Sequence, residues 1–318
     1  MLARMAESLF WLARYLERAD DTARILEVHL HHELEYGPKT PPETFLTTLG
    51  MHFPAETPTT PLELVNLLGK NREHPNSIAA AIAAARRNAN GLREILPSEV
   101  YEAINVAERM LVPSAESSRG SSISAFFRYG KLAHERVATI VGIINESMPR
   151  DEGWNFLELG KFLERVDMTA RLLRLRFTIT ATNADWVTTL RLCSAFESYL
   201  RAYHGVVNPS SILEFLLLDR QFPRSVHFGL LSAESCLAGI SGGPARTTVP
   251  NPVQQLVERA RTELTFRSTA DISSNIEAVL ENLSLTTTLA SQAISERYFA
   301  ATDFGAWHRR GFSGAGLI

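Results

Sequence analysis

Apolar residues recur every three or four positions over most of this 318-residue chain, a spacing that places them on one face of an α-helix. The clearest stripe near the start consists of Leu9, Leu12, Leu16, Ala19, Ala23 and Leu26. No segment alternates apolar and polar residues convincingly, as a half-buried strand would. The pattern therefore predicts an all-α protein whose antiparallel helices pack as bundles.

Further helices are predicted by composition and by their flanking residues. The segment "SIAAAIAAARRNANGLREIL", residues 77–96, is rich in alanine, which favours helix. Asn76 or Ser77 would cap its start. Long helical patterns also cover residues 121–147 and 272–300. Polar segments rich in proline, glycine and serine separate the helices, among them "YGPKTPPET", "VPSAESSRGSS", "MPRDEGW" and "ISGGPARTTVPNP".

Two parts of the chain resemble each other. Residues 17–26, ERADDTARIL, align with residues 164–173, ERVDMTARLL, and seven of the ten positions are identical. "FLTTL" (45–49) then resembles "WVTTL" (186–190), and "LLGKNREHPNSI" (67–78) resembles "FLLLDRQFPRSV" (215–226). We therefore predict two copies of one helical unit, residues 1–148 and 149–300, packed as one globular unit, with a flexible glycine-rich tail at 301–318.

The repeated segment keeps its charged residues. Because a helix advances 100° per residue, Glu17, Asp20 and Arg24 share one face beside the apolar stripe. Glu164, Asp167 and Arg171 form the same face in the second copy. The residues that follow, 27–36 and 174–183, share nothing, so the two copies diverged freely there and not at the motif.

Three interpretations of this face remain open. An exposed Asp–Arg pair one turn apart contributes only about 0.2–0.5 kcal/mol, which is too little to preserve the residues through a duplication. A buried ion network would preserve them, because loss of one partner of a buried pair costs about 3–5 kcal/mol. In the third interpretation, pseudo-twofold packing brings both faces to one cleft. Its arginines would clamp a carboxylate or phosphate and its carboxylates would hold an amino group or act as acid and base, which suits an amino-acid-like or peptide ligand.

Three motifs carry a resemblance to a known family. The opening aromatic-Trp-Leu-x-Arg-Tyr-x-Glu-Arg-Ala-Asp, the segment "RDEGWNFLELGKFLERVDMTARLL" and the segment "FLLLDRQFPRSVHF" resemble the bacterial alpha-E family, over almost the whole chain. That resemblance implies an all-helical protein encoded beside, or fused to, circularly permuted ATP-grasp proteins and transglutaminase-like proteins. It implies a part in amide-bond formation or peptide modification, with ATP chemistry supplied by a partner.

The residues and the resemblance together give the candidate site. Glu17 and Glu164 are the candidate catalytic acid or base, if the chain is an enzyme by itself. The candidate ligand-binding residues are Arg14, Arg18, Asp20, Arg24, Arg165, Asp167, Arg171 and Arg224. The family often has Ala-Arg-Glu-Asn-Ala-Arg on its alanine-rich helix, whereas this chain has "ARRNAN" at 85–90. The rival hypothesis is a non-catalytic scaffold whose repeated charges are structural and whose outer surface binds a partner.

Composition narrows the choice of partners. The net charge of −3 and the pI of about 6.3 give no support to nucleic-acid binding. Cys193 and Cys236 fit neither a disulfide framework nor a Cys-x-x-Cys site, and no cofactor or metal is expected. No run of about 18 apolar residues and no signal peptide is seen, so we expect no membrane association and a cytoplasmic location.

Four smaller features receive predictions. His29 and Glu33 are one turn apart and could bind a metal, but an exposed polar helix end is the preferred interpretation. "GISGG" (239–243) is interpreted as a turn rather than a nucleophile motif around Ser241. "DRQFPRSVHF" predicts a helix start with Pro223 in the first turn, which could bind an anion. Asp151 is predicted to cap the next helix, and Trp154 either packs in the core or acts as a lid.

Overall fold

The computed structural model describes residues 1–37, 60–112, 123–178, 183–241 and 251–299, together with Leu46. Most of the "FLTTL" segment, Gly242 and Gly243 of "GISGG", and the tail 301–318 lie outside the described residues. Among the described helices, none combines the length and apolar composition that crossing a lipid bilayer requires.

The described part of the chain contains thirteen α-helices and no strand, which confirms the all-α prediction. In chain order they are α1 Ala3–Tyr36, α2 Pro61–Val65, α3 Ile78–Asn90, α4 Ser98–Leu111, α5 Ile123–Ser147, α6 Glu152–Thr178, α7 Asn183–Leu192, α8 Phe196–Ala202, α9 Pro209–Leu218, α10 Val226–Ile240, α11 Pro252–Thr265, α12 Thr269–Ser274 and α13 Ile276–Ile294. Short π-helical turns follow α2, at Asn66–Lys70, and α13, at Ser295–Phe299.

Several helices begin where their capping residues predict. Ser77, rather than Asn76, caps α3, and Ser225 caps α10, each by accepting a hydrogen bond from the backbone N–H three residues later. Asp151 caps α6 as predicted, since its Oδ1 accepts from the Trp154 N–H at 3.1 Å. The pattern predicted as one helix over 272–300 is divided, because Asn275 adopts a non-helical φ of −130° between α12 and α13.

The chain divides into two compact units. The first comprises Met1–Leu157 and Tyr298–Ile318, and the second comprises Glu158–Arg297; the sequence predicted a boundary between residues 148 and 149. Within the first unit, α1 packs against α3 and α5, and α4 packs against the same two helices. Within the second unit, α10 packs against α9 and α11, and α11 packs against α13. The predicted apolar stripe of α1 is buried throughout.

In the second unit, α6 lies close to α10 at Gly229. A Cβ atom added at Gly229 would lie 2.6 Å from Val166 Cγ2 and 3.6 Å from the Phe162 carbonyl oxygen. The aromatic rings of Phe162 and Phe228 also meet there, with centroids 5.9 Å apart. Glycine therefore permits a close approach of the two helices that any larger residue would obstruct.

The threonine of the repeated segment makes the same contact in each unit. The Thr22 hydroxyl donates to the Asn76 carbonyl oxygen at 3.4 Å, and the Thr169 hydroxyl donates to the Arg224 carbonyl oxygen at 3.1 Å. Both acceptors directly precede a capping serine, so each threonine ties the motif helix to the start of the helix packed against it. The duplication remains an inference from the sequence, and these matched contacts support it.

Candidate functional site

Residues 17–24 and 164–171, the charged parts of the two repeated segments, are called the first and the second motif. In the first motif, Asp20 contacts side chains from two helices of its own unit. Arg24 Nη1 donates to Asp20 Oδ2 at 2.9 Å, and Arg24 Nη2 contacts Asp21 Oδ1. From α5, His134 Nδ1 lies 2.6 Å from Asp20 Oδ1. Asp20 and Asp21 are buried, and the Arg24 side chain is nearly so. The first motif is therefore a buried ion network, rather than the exposed Asp–Arg pair considered from the sequence.

Three carboxylates of α1 lie together in this network. Glu17, Asp20 and Asp21 are all buried, and each has an oxygen within 4.8 Å of the other two. Buried carboxylates repel one another and lose hydration, so positive charge must balance them. Arg24 supplies such charge. Among the described residues this is the one acidic group whose geometry could hold a metal ion, as carboxylate oxygens do for hard cations.

Two candidate arginines on the same helix lie against aromatic rings. Arg14 is buried, and its guanidinium carbon lies 5.6 Å from the ring centroid of Phe10 and 5.2 Å from that of Trp11. The guanidinium carbon of Arg18 lies 5.6 Å from the Tyr15 ring centroid. Both arginines therefore gain cation–π stabilisation, and Arg14 is packed into the interior.

The second motif repeats the arrangement with fewer charges. Arg171 Nε donates to Asp167 Oδ2 at 2.9 Å, and the Thr287 hydroxyl of α13 lies 3.3 Å from Asp167 Oδ1. Glu164 is buried, like Glu17. Met168 stands where the first motif has Asp21, so Arg171 has no second carboxylate at that position.

For the remaining candidates, Arg165 and Arg224, ligand binding stays a prediction, and the structure shows one contact of each. Arg165 has its guanidinium carbon 5.8 Å from the Phe162 ring centroid. Arg224, predicted to bind a ligand through its side chain, offers its backbone carbonyl oxygen to Thr169. The predicted convergence of the two motif faces on one cleft stays a prediction.

A family comparison agrees with this helical architecture. The matching family model, described as a predicted alpha-helical domain with a conserved ER motif, covers residues 1–299. The chain belongs to the Alpha-E family. Glu17–Arg18 and Glu164–Arg165 are the Glu–Arg pairs of the two repeated segments, and both glutamates are buried.

Two mycobacterial proteins are similar to this Alpha-E chain in sequence. It is 24% identical over 286 residues to the uncharacterized proteins Rv2567 of Mycobacterium tuberculosis (strain ATCC 25618 / H37Rv) and Mb2597 of Mycobacterium bovis (strain ATCC BAA-935 / AF2122/97). The alignment covers 81% of this chain and 32% of each relative, so the Alpha-E chain spans about a third of their length. No solved structure matches it.

Two residues of the network were missed by sequence reasoning. Asp21 had a local signal, because it lies three residues before Arg24 on the same helix, a spacing at which side chains meet. His134 had none, because it lies 114 residues from Asp20. Helix periodicity relates only residues within one helix, so a partner on α5 required the tertiary structure.

The prediction of an exposed polar end for α1 holds for His31 and Glu35, which are exposed, but is wrong for His29. His29 is buried and the Glu33 side chain nearly so, with His29 Nε2 3.2 Å from Glu33 Oε1. The reason is that α1 continues along α5, where the His31 and Phe127 rings have centroids 4.3 Å apart. Burial lowers the pKa of His29 to about 4, with a smaller effect of His32, and burial raises the pKa of Glu33.

Two further predictions need correction or refinement. Pro223 is not in the first turn of α10, because Ser225 is the N-cap and Pro223 precedes it by two residues. Trp154 is half-buried rather than packed fully in the core, and the guanidinium carbon of Arg150 lies 3.5 Å from its ring centroid. A role as a lid stays a prediction. Ser241 ends α10, with its N–H bonded to the Leu237 carbonyl oxygen.

Proposed function

We propose that this Alpha-E chain is a non-catalytic helical binding component of an ATP-grasp-linked system that forms or modifies amide bonds. In this proposal, the repeated Glu/Asp/Arg faces hold each unit together and the outer surface binds the protein partner. The observation that carries the proposal is that both carboxylate oxygens of Asp20 already have partners within the protein. Arg24 of α1 contacts Oδ2, and His134 of α5 contacts Oδ1.

The energetics of the first motif favour this structural role. A ligand that used Asp20 or Asp21 would have to displace Arg24 from that carboxylate. Leaving one partner of such a buried pair uncompensated costs about 3–5 kcal/mol. The aromatic packing of Arg14 likewise removes from the surface a guanidinium that a peptide carboxylate would need.

The proposed binding of a protein partner is supported in two ways. In the mycobacterial relatives, the region that matches this chain is joined to about twice its own length of other sequence, which is the arrangement expected of a unit that acts together with another protein part. The family resemblance names an ATP-grasp-type protein as the first candidate partner and a transglutaminase-like protein as the second. The ATP-grasp partner would supply the ATP chemistry.

The test combines binding with folding. The chain is mixed with an ATP-grasp-type protein, and separately with a transglutaminase-like protein, and each dissociation constant is measured by calorimetry. We expect a complex, and we expect Glu17→Gln to lower the free energy of unfolding while the folded variant still binds. Glu102→Gln, which changes an exposed glutamate of α4, is the control for both measurements. Absence of a complex with either candidate partner would overturn the proposal.

A second candidate function is ligand binding or acid–base catalysis at the motif, with Glu17 or Glu164 as acid or base and an amino-acid-like or peptide ligand. One observation favours it: the side chain of His134 is 60% exposed while its Nδ1 contacts Asp20, so the network reaches solvent at one point. Thermal-shift screening with amino acids and dipeptides tests it. A ligand whose stabilisation is lost in Glu17→Gln, with unchanged stability of the free protein, would favour this candidate.

A further inference from the structure

The start of α10 offers hydrogen-bond donors that the helix itself leaves unused. The Phe228 N–H is satisfied by the Ser225 hydroxyl, but helix geometry gives the N–H groups of Val226 and His227 no acceptor within the helix. α10 has 15 residues, and the N-terminus of such a helix carries partial positive charge that favours anions.

A buried histidine belongs to this first turn. His227 is 4% exposed, its Nε2 lies 3.3 Å from Thr265 Oγ1, and its buried Nδ1 has no hydrogen-bond partner. The Thr265 hydroxyl donates to the Arg261 carbonyl oxygen at 2.9 Å, so toward His227 it acts as acceptor and His227 carries its proton on Nε2. Nδ1 is then an unused lone pair, which becomes a donor as soon as it is protonated.

Two arginines and two carboxylates lie around His227. Burial lowers the pKa of His227, and the positive charges of Arg220 and Arg261 lower it further, while Asp219 raises it. Arg220 is exposed and makes no ion pair or hydrogen bond to any described residue. Arg261 engages Glu234 through Nε. Asp219 Oδ1 accepts two backbone N–H groups of its own loop.

We propose that the start of α10, together with Arg220, His227 and Arg261, binds a small oxyanion, the phosphate or carboxylate group of a ligand. Two backbone N–H groups, two guanidiniums and a histidine able to donate from Nδ1 are the donors such a group requires. The site does not depend on the function proposed above, because it lies in the second unit and uses none of the motif carboxylates. The first copy has Ala79 in place of His227 and Asn76 in place of Arg224.

Binding at this site is coupled to a proton. An anion beside His227 stabilises the imidazolium, so His227 takes up a proton on Nδ1, and the resulting N–H donates a hydrogen bond to the anion. The anion therefore binds more tightly below neutral pH than above it, even when its own charge does not change. The exposed Arg220 strengthens binding at both pH values through its charge.

Sulfate is the first probe, because its charge is constant between about pH 5.5 and about pH 8, where histidine titrates. Its dissociation constant is measured by NMR titration of the full chain at matched ionic strength with sodium chloride. We expect binding about 5-fold or more tighter at the lower pH, together with a higher pKa of the His227 ring in sulfate. Arg220→Gln is expected to weaken binding about 5- to 10-fold. The matched control is Arg72→Gln, which removes the exposed arginine at the corresponding position of the first copy and should change nothing.

Competition distinguishes the two ligand classes. Phenyl phosphate and acetate are titrated against bound sulfate, and the stronger competitor identifies a phosphate or a carboxylate as the natural group. Because Arg220 is exposed, its replacement tests the site without disturbing the core. Failure of all three anions to bind, or equal sulfate affinity in wild type and Arg220→Gln, would overturn the proposal.

Discussion

Asp20 of α1 and His134 of α5 are 114 positions apart in the chain, and His134 Nδ1 lies 2.6 Å from Asp20 Oδ1. This contact joins the repeated acidic motif to the last long helix before α6. In the second unit, Thr287 stands in the matching place beside Asp167, at 3.3 Å. In each unit, the motif aspartate thus contacts a side chain of a second helix, in addition to its ion pair with the arginine one turn later.

Loss of the His134 contact should be measurable as stability. His134→Ala removes a hydrogen bond to a buried charged group, which contributes about 1.5–3 kcal/mol, reduced here because the imidazole is largely exposed. We therefore expect the free energy of unfolding in urea to fall by about 1 kcal/mol. Lys131→Ala, which breaks an exposed pair with Glu135 on the same helix, should change it by less than about 0.5 kcal/mol. Equal effects of the two substitutions would contradict a specific tie at Asp20.

Three Asp/Glu–Arg pairs of the described residues, each with a spacing of four residues, should form a graded series. Side-chain exposures of the arginine and its partner are 12% and 7% for Arg24–Asp20, 29% and 14% for Arg171–Asp167, and 81% and 34% for Arg259–Glu263. Replacing each arginine by glutamine should therefore cost about 3 kcal/mol or more at Arg24, less at Arg171 and under about 0.5 kcal/mol at Arg259. Urea denaturation of the three variants measures the order. A cost at Arg259 equal to that at Arg24 would show that burial does not set it.

Glycine positions provide a test of helix packing. Gly229→Ala should lower the free energy of unfolding by about 1–3 kcal/mol, because the new methyl group would overlap Val166 on α6. The control is Gly142→Ala in the exposed middle of α5, where a Cβ would meet nothing within 4 Å. That substitution should stabilise by about 0.5–1 kcal/mol through helix propensity. Opposite signs of the two effects are the expected result of thermal or urea denaturation, and the same sign would contradict the packing described.

The sequence predicted helices well because the rule involved is local. A stripe such as Leu9, Leu12 and Leu16 needs only the helical period, and Ser77 needs only its position before an apolar run. The burial of His29 and the partnership of Asp20 with His134 depend instead on which face of α5 meets α1. That relation joins residues far apart in the chain, so neither periodicity nor charge spacing contains it. The divided helix before Ile276 is a smaller case, in which the backbone at Asn275 departs from a continuous helical pattern.

Burial of His29 should make stability depend on pH. The pKa of His29 is lowered to about 4 in the folded protein, from about 6.5 in an unfolded chain. Below pH 6.5 the unfolded state therefore binds a proton that the folded state does not. The contribution of His29 is constant above about pH 6.5, falls by up to about 3 kcal/mol as the pH drops to about 4, and then levels off.

The effect of Glu33 on the pH dependence of stability has the opposite sign. Burial raises the pKa of Glu33 in the folded protein, so the free energy of unfolding rises as the pH falls through that raised pKa. His29→Leu isolates the histidine. Relative to wild type, its free energy of unfolding should rise by about 2–3 kcal/mol between about pH 7 and about pH 4. His31→Gln, an exposed histidine two residues along α1, is the control. A pH-independent difference between His29→Leu and wild type would contradict the burial of His29.

A double-mutant cycle at Asp20 and Arg24 tests whether the repeated charges stabilise the fold. The free energies of unfolding of Asp20→Asn, Arg24→Gln and the double variant are measured in urea against wild type. We expect a large loss of stability in both single variants and a coupling energy of about 1–3 kcal/mol, as for side chains in one network. A coupling energy near zero, with each single variant as stable as wild type, would contradict a structural role for Asp20 and Arg24 and would favour a ligand-binding role.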